Sequence, residues 1–594
     1  MRKRWWLVPL CLLAQATRPL AADDAPLATE VVGATPGGHR TLWGAPALPR
    51  QWNPHVPGSP ALEVPSPVTR DEHEESVTLK EAIGLALQNN PGVAAQRLEP
   101  GRSVQGVLQA QAQYDPTASG EVTSTQTITP NVSSLSSTTV TVNDDRTANF
   151  HLFKLFRPGT QITVDSLNER IDNNSSFIAL RPEYKPGLNV SIVQPLLRNF
   201  GWDFSYLVVR VAEQTADAAV YAYEAQLADF VQQVIEAYWA VVGARETVTV
   251  QRESLELANR TVDENQARVR VGLLPPVATL EAQADAKSRE EQVIIAENNL
   301  AVARQRLAQL AFYRPEGTFV PRTLEPRETA VPEEVAVDLD AALAEALARR
   351  PEIVASARGL RAQQLNERIA ENGLLPRLDL VGSYGVNAVS GVAVTTVRTR
   401  TSISGSACRP DGTTGFFICS VPPSPFAGGV GEAYDRLNGF RGDDFRSYSF
   451  GVKVEVPLSN ALARSQAEQS RIALSQSELN HRQLLSNVTL EVRQGAADVT
   501  AARQRIDTTR IARELADENL RNQHKRHEVG MATTKDLLDF QTRLTTARAA
   551  EVQAKIDHAL AVARWRRARG QLLEHFQIVL ERPGHGSTPW FARF

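Results

Sequence analysis

The sequence has little net charge and no long apolar run after its N-terminal segment. Its 64 basic and 67 acidic residues nearly cancel, which leaves a formal net charge of −3. This balance gives no argument for nucleic acid or for an anionic membrane surface as a partner. A membrane-spanning helix requires about 20 consecutive apolar residues, and no later run approaches that length. The composition therefore fits a soluble protein or an outer-membrane β-barrel protein, whose strands leave a weaker signal.

Motifs for catalysis are also missing. The sequence contains no phosphate-binding Gly-rich loop, no nucleophile elbow and no zinc-ligand spacing. His524 and His527 stand three residues apart, and we interpret them as part of a solvated helix face rather than as metal ligands. We therefore expect a protein that is not an enzyme and that holds no cofactor or metal.

Cysteine is scarce, and one of the three cysteines lies in an N-terminal segment that is predicted to be removed. Cys11 lies in the apolar run from Trp5 to Leu13, which basic residues precede and small residues follow. This layout predicts a cleavable secretory signal over residues 1–22. The remaining cysteines, Cys408 and Cys419, would then lie in an oxidising compartment. A disulfide closing their short loop is the expected pairing, and two free thiols are the alternative.

One segment of the sequence recurs about 260 residues further along the chain. Leu79 to Pro91 matches Leu339 to Pro351, with Leu, Ala, Ala, Leu and Pro at common positions. Repeat arrays have periods of about 20–50 residues, so this chain is instead a tandem duplication of one large unit. The predicted segments are a signal (1–22), a Pro-rich extension (23–76), a first repeat (77–335), a second repeat (336–575) and a C-terminal tail (576–594).

Two stretches are almost free of the residues that end helices. Trp202 to Val271 and Leu458 to Val529 contain one glycine each and no proline. As helices they would each be on the order of 100 Å long, whereas globular helices have ~10–14 residues. After each Val-Gly turn a second uninterrupted stretch follows, Val277 to Phe312 and Lys535 to Arg569. The pattern predicts two long helical hairpins with both turns at one end, forming either a plain antiparallel coiled coil or part of a wide tube.

Strand-like segments occupy the remainder of each half. Tyr448 to Val456 alternates between apolar and polar residues, as do Leu188 to Ile192 and Leu378 to Val386. Segments near Thr147–Phe153 and Gln161–Asp165 would be additional strands, with their place in the sheet left open. The alternation suits a lipid-facing strand beside a wet lumen and equally an ordinary half-buried sheet. About four strands cannot close a barrel in one chain, and open edges are excluded from hydrocarbon, so several chains must contribute strands.

Several short motifs occur in both halves in the same order. They are the Leu-x-x-Ala-x-x-x-Ala-Leu-x-x-x-Pro openings at Leu79 and Leu339, the strand exits Gln194-Pro195-Leu196-Leu197 and Val456-Pro457-Leu458, and the turns Val271-Gly272-Leu273 and Val529-Gly530-Met531. The stretch Ala237-Tyr238-Trp239 of the first half accompanies them. Together they resemble the TolC-like outer-membrane efflux protein family. The resemblance covers roughly Val77 to Glu574.

The resemblance implies a mainly α protein with a β-barrel part, located in the outer membrane and extending into the periplasm. Three identical chains with four strands each would form a 12-stranded barrel in outer-membrane lipid, continuous with a 12-helix periplasmic tube. Such proteins are passive exit ducts of tripartite efflux or type I secretion systems, with a periplasmic adaptor protein docked at the helical tips and an inner-membrane transporter supplying energy. The implied docking residues are Val271, Gly272, Leu273, Val529, Gly530 and Met531.

A periplasmic coiled-coil scaffold or adhesin without a pore is the alternative function. The two interpretations differ on the strand Tyr448 to Val456. A duct would turn the apolar face of this strand towards lipid, whereas a scaffold would bury it in a small sheet.

Asp536 and Asp539 stand three residues apart and so share one face of the helix after the second turn. Carboxylates near a helix N-terminus are favoured by the helix dipole alone, which is the simpler explanation. The resemblance implies in addition that they line the periplasmic entrance, where three chains would place two rings of three carboxylates. Such rings favour cations and are blocked by multivalent ones.

Three residues depart from the family pattern. Ala532 stands where the family archetype has a basic residue that helps hold the entrance shut, and Ala278 stands where it has a polar partner. Closure would therefore depend on other contacts, such as those of Lys535 or Arg526. Pro100 predicts a kink or a break in the helix that follows Pro91.

Overall fold

The computed structural model describes residues 61–63, 76–131, 139–175, 178–311, 324–399, 402–404, 406–412, 415–438 and 445–581. All of these residues belong to the compact unit His55–Phe594. The predicted signal, most of the predicted Pro-rich extension and the last part of the predicted tail lie outside the described residues.

The two halves of the chain repeat the same helical order. In each half an 11-residue helix is followed by a 22-residue helix, and a long hairpin comes after the strands. The helices of the described residues are α1 (Leu79–Asn89), α2 (Pro91–Ala112), α3 (Leu207–Arg270), α4 (Pro276–Ala311), α5 (Leu339–Arg349), α6 (Pro351–Asn372), α7 (Val430–Asn438), α8 (Ala461–Glu528), α9 (Thr534–Ala568) and α10 (Leu572–His575).

The long helices confirm the two hairpins expected from the sequence. α3 has 64 residues and α8 has 68, so each rises about 100 Å. The returning helices α4 and α9 have 36 and 35 residues. All four lie within a few residues of the predicted ranges because no proline interrupts the interior of any of them.

The short helices meet at a proline in each half. Asn90 ends α1 and begins α2, and its side chain accepts hydrogen bonds from the backbone N–H groups of Gly92 and Val93, at 2.8 and 3.3 Å. Pro91 takes the first helical position, where its missing N–H costs nothing. α2 then runs through Pro100, whose ring is buried, so the expected break there does not occur. The helix tolerates the loss of one backbone hydrogen bond at this residue.

Each half buries a large aromatic side chain in its helical part. Trp565 of α9 is fully buried among apolar residues of α5 and α8. Tyr238 of α3 is also fully buried, and its hydroxyl donates to the carbonyl oxygen of Val77 at 3.1 Å. Burial raises the pKa of Tyr238 to about 12, so the hydroxyl keeps its proton and remains a donor.

Half of the strands of the described residues belong to one antiparallel sheet. The strands are β1 (Ala61–Glu63), β2 (Ser76–Val77), β3 (Thr117–Pro130), β4 (Val140–Leu155), β5 (Gln161–Asn173), β6 (Leu180–Pro195), β7 (Glu325–Pro326), β8 (Arg377–Asn387), β9 (Ser390–Ala393), β10 (Thr396–Thr399), β11 (Cys408–Pro410), β12 (Phe417–Ser420), β13 (Arg446–Glu455) and β14 (Val579–Glu581). The order across the main sheet is β13-β8-β6-β5-β4-β3, and β9 also pairs with β6. The first half thus supplies four long strands and the second half two.

The sheet contains the predicted alternating segments and adds two long strands to the expected four. The segments Thr147–Phe153 and Gln161–Asp165, whose place was left open, lie in β4 and β5, and each of these strands is paired on both sides. Tyr448 lies opposite Tyr384, and the apolar residues of both strands share one face. The sequence leaves the place of these two strands open because the Thr- and Asn-rich strands of the first half lack a regular apolar alternation.

A smaller sheet, β10-β12-β11, lies in the connection between β8 and β13. Cys408 of β11 lies opposite Cys419 of β12, and a disulfide joins the two residues, whose Cα atoms are 4.0 Å apart. The side chain of Cys419 is fully buried. The disulfide therefore closes a hairpin of this connecting segment.

Candidate functional site at the helical tips

The two long helices end with the same backbone geometry. Gly272 and Gly530 both have φ of +78°, a left-handed conformation that favours glycine. The N–H of Gly272 donates to Val269 O at 3.0 Å, and the N–H of Leu273 donates to Arg268 O at 2.9 Å. The second tip, at the end of α8, repeats these two hydrogen bonds, from the N–H groups of Gly530 and Met531 to the carbonyl oxygens of His527 and Arg526. Both turns are Schellman motifs, which end a helix and expose the next residue.

Each tip exposes two apolar side chains. Val271 and Leu273 are 70% and 74% exposed, and Val529 and Met531 are 70% and 71% exposed. The glycine between each pair holds no side chain that could cover them. The four side chains form an apolar surface, which we call the tip surface, of the kind that marks a binding site.

Hydrogen bonds between the two hairpins hold the tips side by side. The guanidinium of Arg268 donates to the backbone oxygen of His527 at 3.1 Å, joining the last turns of α3 and α8. The Asn265 side-chain amide donates to Ala278 O at 3.1 Å and to the Thr534 hydroxyl at 3.3 Å. The tips of both repeats therefore lie at one end of the hairpins, and the tip surface draws its residues from both.

His527 is buried, so its assignment to a solvated helix face is wrong. Its side chain is 2% exposed, and Nδ1 lies 3.1 Å from the carbonyl oxygen of Ala532. Arg268 of α3 donates to the backbone oxygen of His527, so α3 lies against the last turn of α8. The described residues contain no cluster of three or more His, Cys, Asp or Glu side chains that could hold a metal ion.

Asp536 caps the helix that begins after the second tip. Its backbone N–H donates to the Thr533 hydroxyl at 3.2 Å, and its carboxylate accepts from the Thr533 hydroxyl and backbone N–H at 2.7 and 3.0 Å. This is a capping box with Asp in the usual place of Glu. The hydrogen bonds from Thr533 hold the pKa of Asp536 below the usual range of aspartate. The carboxylate therefore stays ionised at the surface of the tip.

Asp539 lies one turn further along α9 and is also exposed. Its carboxylate forms an ion pair with Arg543 at 3.4 Å, and both side chains are largely in solvent. An exposed pair of this kind contributes little to stability. Lys535 and Arg526 are exposed as well, and their positive charges further lower the pKa of Asp536. The start of α9 thus presents two carboxylates and nearby cations on a solvated surface.

A buried polar layer lies behind the tips, and sequence reasoning missed it. Arg289 of α4 is buried and donates to Asp285 at 2.6 Å and to the Ser254 hydroxyl of α3 at 2.5 Å. It also donates across to α9, to Leu538 O at 3.4 Å and the Thr542 hydroxyl at 3.1 Å. Arg289 stands among other charged residues of α4, so nothing in the sequence marks its burial. This layer ties the first hairpin to the second.

A family model described as outer membrane efflux protein matches residues 203–311 and 342–571, which is more than half of the chain. The chain belongs to the outer membrane efflux protein family. Both matched stretches contain a long helical hairpin, and they fall within the two predicted repeats. The matches include the tip surface and the start of α9.

Two relatives show how far the family likeness extends along the chain. Outer membrane protein TolC of Escherichia coli (strain K12) is 24% identical over 376 residues, which cover 62% of this chain and 66% of that protein. Protein CyaE of Bordetella pertussis is 29% identical over 213 residues, which cover 35% of this chain and 43% of that protein. The chain thus spans less than two thirds of the length of both relatives.

A solved outer membrane efflux protein structure confirms the fold. The CmeC outer membrane channel of Campylobacter jejuni has a TM-score of 0.57 and 15% identity, over 87% of this chain and 95% of that channel. The family consists of outer-membrane channels, and this chain is an outer-membrane protein that extends into the periplasm. No helix in the described part of the chain is both long and apolar enough to cross a membrane.

Proposed function

We propose that this protein is a passive homotrimeric exit duct of a tripartite efflux or type I secretion system. The chain forms one third of the duct. Its strands insert into the outer membrane, and its helical hairpins form part of a periplasmic tube. It performs no chemical step, since an inner-membrane transporter drives the movement of the cargo.

The observation that carries this proposal is the exposed apolar face of the main sheet. Tyr448 and Phe450 are 80% and 77% exposed on this face, and Val452 and Val454 are exposed beside them. A periplasmic scaffold would bury these side chains within its own fold. Outer-membrane strands turn such a face towards lipid and keep a polar face towards the lumen. The polar face is present here too, where the hydroxyls of Ser383 and Ser449 are 2.8 Å apart.

The tip surface is the proposed docking site of the periplasmic adaptor. Its four apolar side chains lie at the end of both hairpins, where a tube opens towards the inner membrane. Burying exposed apolar side chains against a partner is favourable by about 25 cal/mol per Å². Asp536 and Asp539 lie within ten residues of this surface and are the proposed lining of the entrance.

Detergent extraction and mass measurement test the proposal. We expect the protein in outer-membrane fractions, in a form that requires detergent for extraction and changes its gel mobility on heating. The mass of the protein part should equal three mature chains. A monomer, or a protein released by salt without detergent, would favour the scaffold.

A further inference from the structure

Within the described residues, the two strands at the ends of the main sheet, β3 and β13, pair on one side only. β3 has 14 residues, and all of them are exposed. β13 at the opposite edge has 10 residues, of which nine are exposed. Long open edges expose unpaired backbone groups, and hydrocarbon excludes them. In the duct proposed above, both edges must therefore pair with neighbouring copies of the chain.

The path of the chain makes the two additional strands, β4 and β5, members of the ring of strands. α2 leads directly into β3, and β6 leads directly to α3, so the first repeat enters and leaves the sheet from the helical part. β4 and β5 lie between these two strands, in one unbroken meander with continuous register. A ring that used only four strands per chain would have to separate β5 from β4.

The turn between β4 and β5 is held against the start of α3. The Arg157 guanidinium lies over the Tyr206 ring, 4.6 Å from its centroid. The Ser205 hydroxyl donates to the Arg157 carbonyl oxygen, and the Tyr114 hydroxyl donates to Ser205 O at 2.6 Å. The additional strands are thus attached to the helical part at the same level as β3 and β6.

One face of the sheet is mainly apolar and the other mainly polar, with Leu167 of β5 as an exposed apolar residue on the polar face. Exposed apolar side chains on one face include Val122 of β3, Phe150 of β4, Ile192 of β6 and Phe450 of β13. On the other face polar side chains pair across strands, with Thr123 against Thr147 and His151 Nδ1 at 2.8 Å from Asp165. β4 and the first part of β5, with Ile162 and Val164 on the apolar face, therefore follow the same division of faces as the other strands.

The stagger of the sheet matches that of a closed barrel. One row of paired residues runs from Thr117, the first residue of β3, through Phe153, Thr163, Ser191 and Ser383 to Ser449. The last residue of β13, Glu455, lies six positions beyond the end of this row. At about 3.3 Å per residue and 4.8 Å per strand, this shift over five steps is a tilt of about 40°. Barrel strands tilt by about 35–45° from the barrel axis. With this tilt, the first residue of β3 and the last residue of β13 lie at the same height along the axis.

We propose that the outer-membrane barrel of this protein has 18 strands, six from each of three chains, closed by β3 of one copy pairing with β13 of the next. This inference rests on the proposed trimeric duct. Neighbouring strands are antiparallel and six is even, so β3 and β13 run in opposite directions and form an antiparallel pair at closure. Barrel diameter grows roughly linearly with strand number, so the lumen is about one and a half times as wide as with 12 strands.

Cysteine cross-linking between copies tests the closure. Matching the first residue of β3 with the last residues of β13 places Thr123 near Ser449 or Gly451 of the next copy. Thr123→Cys is combined with Ser449→Cys and, separately, with Gly451→Cys. Leu167→Cys with Ser449→Cys is the matched pair for a 12-stranded ring closed by β5, because Leu167 lies as far along β5 as Thr123 lies along β3. Each single-cysteine variant serves as a control for chance contacts.

After oxidation, at least one Thr123 pair should give reductant-sensitive dimers and trimers on denaturing gels, in more than half of the chains. The Leu167 pair should stay near the background of the single variants. Cross-linking of the Leu167 pair alone, or of no pair in a protein that is trimeric by mass, overturns the 18-stranded barrel and leaves the trimeric duct in place. A monomeric mass contradicts both proposals.

Discussion

At the scale of single residues, the two tip glycines are the most constrained positions of the proposed docking site. Both have φ of +78°, and a Cβ built on either glycine would meet no atom within 4 Å. The constraint is therefore the backbone conformation and not a lack of space. A β-branched residue in this conformation costs about 1–2 kcal/mol, so it would unwind the turn and move the tip surface.

Gly272→Val and Gly530→Val should reduce cross-linking to the adaptor in cells at least tenfold and leave insertion and trimer formation unchanged. The reason is that the strain is confined to turns far from the sheet. Gly359→Val in α6 is the matched control, since Gly359 has an ordinary helical conformation and open space around it. Normal adaptor cross-linking by both tip variants would remove the docking assignment.

The entrance carboxylates offer a second test at this scale. Replacing Asp536 and Asp539 together by Ala should weaken cation preference and block by multivalent cations, because both proposed rings lose their charge. Single-channel recording in asymmetric salt measures both effects. Thr533→Ala is the control, since it removes the cap of α9 and keeps both carboxylates. If the double variant shows unchanged selectivity and block, the two residues are only helix-capping charges.

The lowered pKa of Asp536 also predicts a pH dependence. Its capping interaction stabilises the start of α9 fully above the pKa of an unfolded aspartate, and this stabilisation is lost as pH falls through the lower pKa of the folded protein. Hydrogen exchange of the first turn of α9 should therefore accelerate only below the usual aspartate range. Thr533→Ala should shift the onset to higher pH. The same onset in both proteins would contradict this role of the Thr533 hydrogen bonds.

At the scale of elements, the buried Arg289 layer joins α3, α4 and α9. The Arg289 side chain is 8% exposed, and its ion pair with Asp285 is protected from solvent. Breaking a buried ion pair by removing one partner costs about 3–5 kcal/mol, because the other charge and its hydrogen-bond partners are left unsatisfied.

Arg289→Ala should therefore destabilise the packing of the hairpins by about 3 kcal/mol. We expect faster hydrogen exchange in α4 and the first half of α9, together with a lower temperature of trimer dissociation. Lys287→Ala is the matched control. Lys287 lies two positions before Arg289 on the same helix, and it forms an exposed ion pair with Glu290. Equal effects of the two substitutions would show that the layer does not hold the hairpins together.

The sequence predicted the helices better than the strands, for a physical reason. α3 and α8 are long stretches without proline, so their range follows from local chemistry alone. β3 reads as a polar Thr-rich segment, and its pairing with β4 depends on residues far along the chain. The burial of Arg289 and His527 likewise arises only when two hairpins meet. The local sequence pattern therefore predicts where the tips lie, but it does not predict which residues are buried next to them.

At the scale of the whole molecule, the duplicated chain separates two tasks. The hairpins of both repeats bring their tips to one end, where docking and entrance are proposed. The strands of both repeats join in one sheet with an apolar and a polar face. A sheet with two open edges cannot be complete in one chain, so the function proposed here requires assembly.

The most direct test of the central claim is the conductance of the purified protein in a planar lipid bilayer. A trimeric duct should give discrete single-channel steps that prefer cations, with a conductance that scales with salt concentration. The double Asp536 and Asp539 variant should give steps of similar size with a weaker cation preference. Folded protein that inserts no conducting unit over a wide range of protein concentration and voltage would contradict the duct and favour a scaffold without a pore.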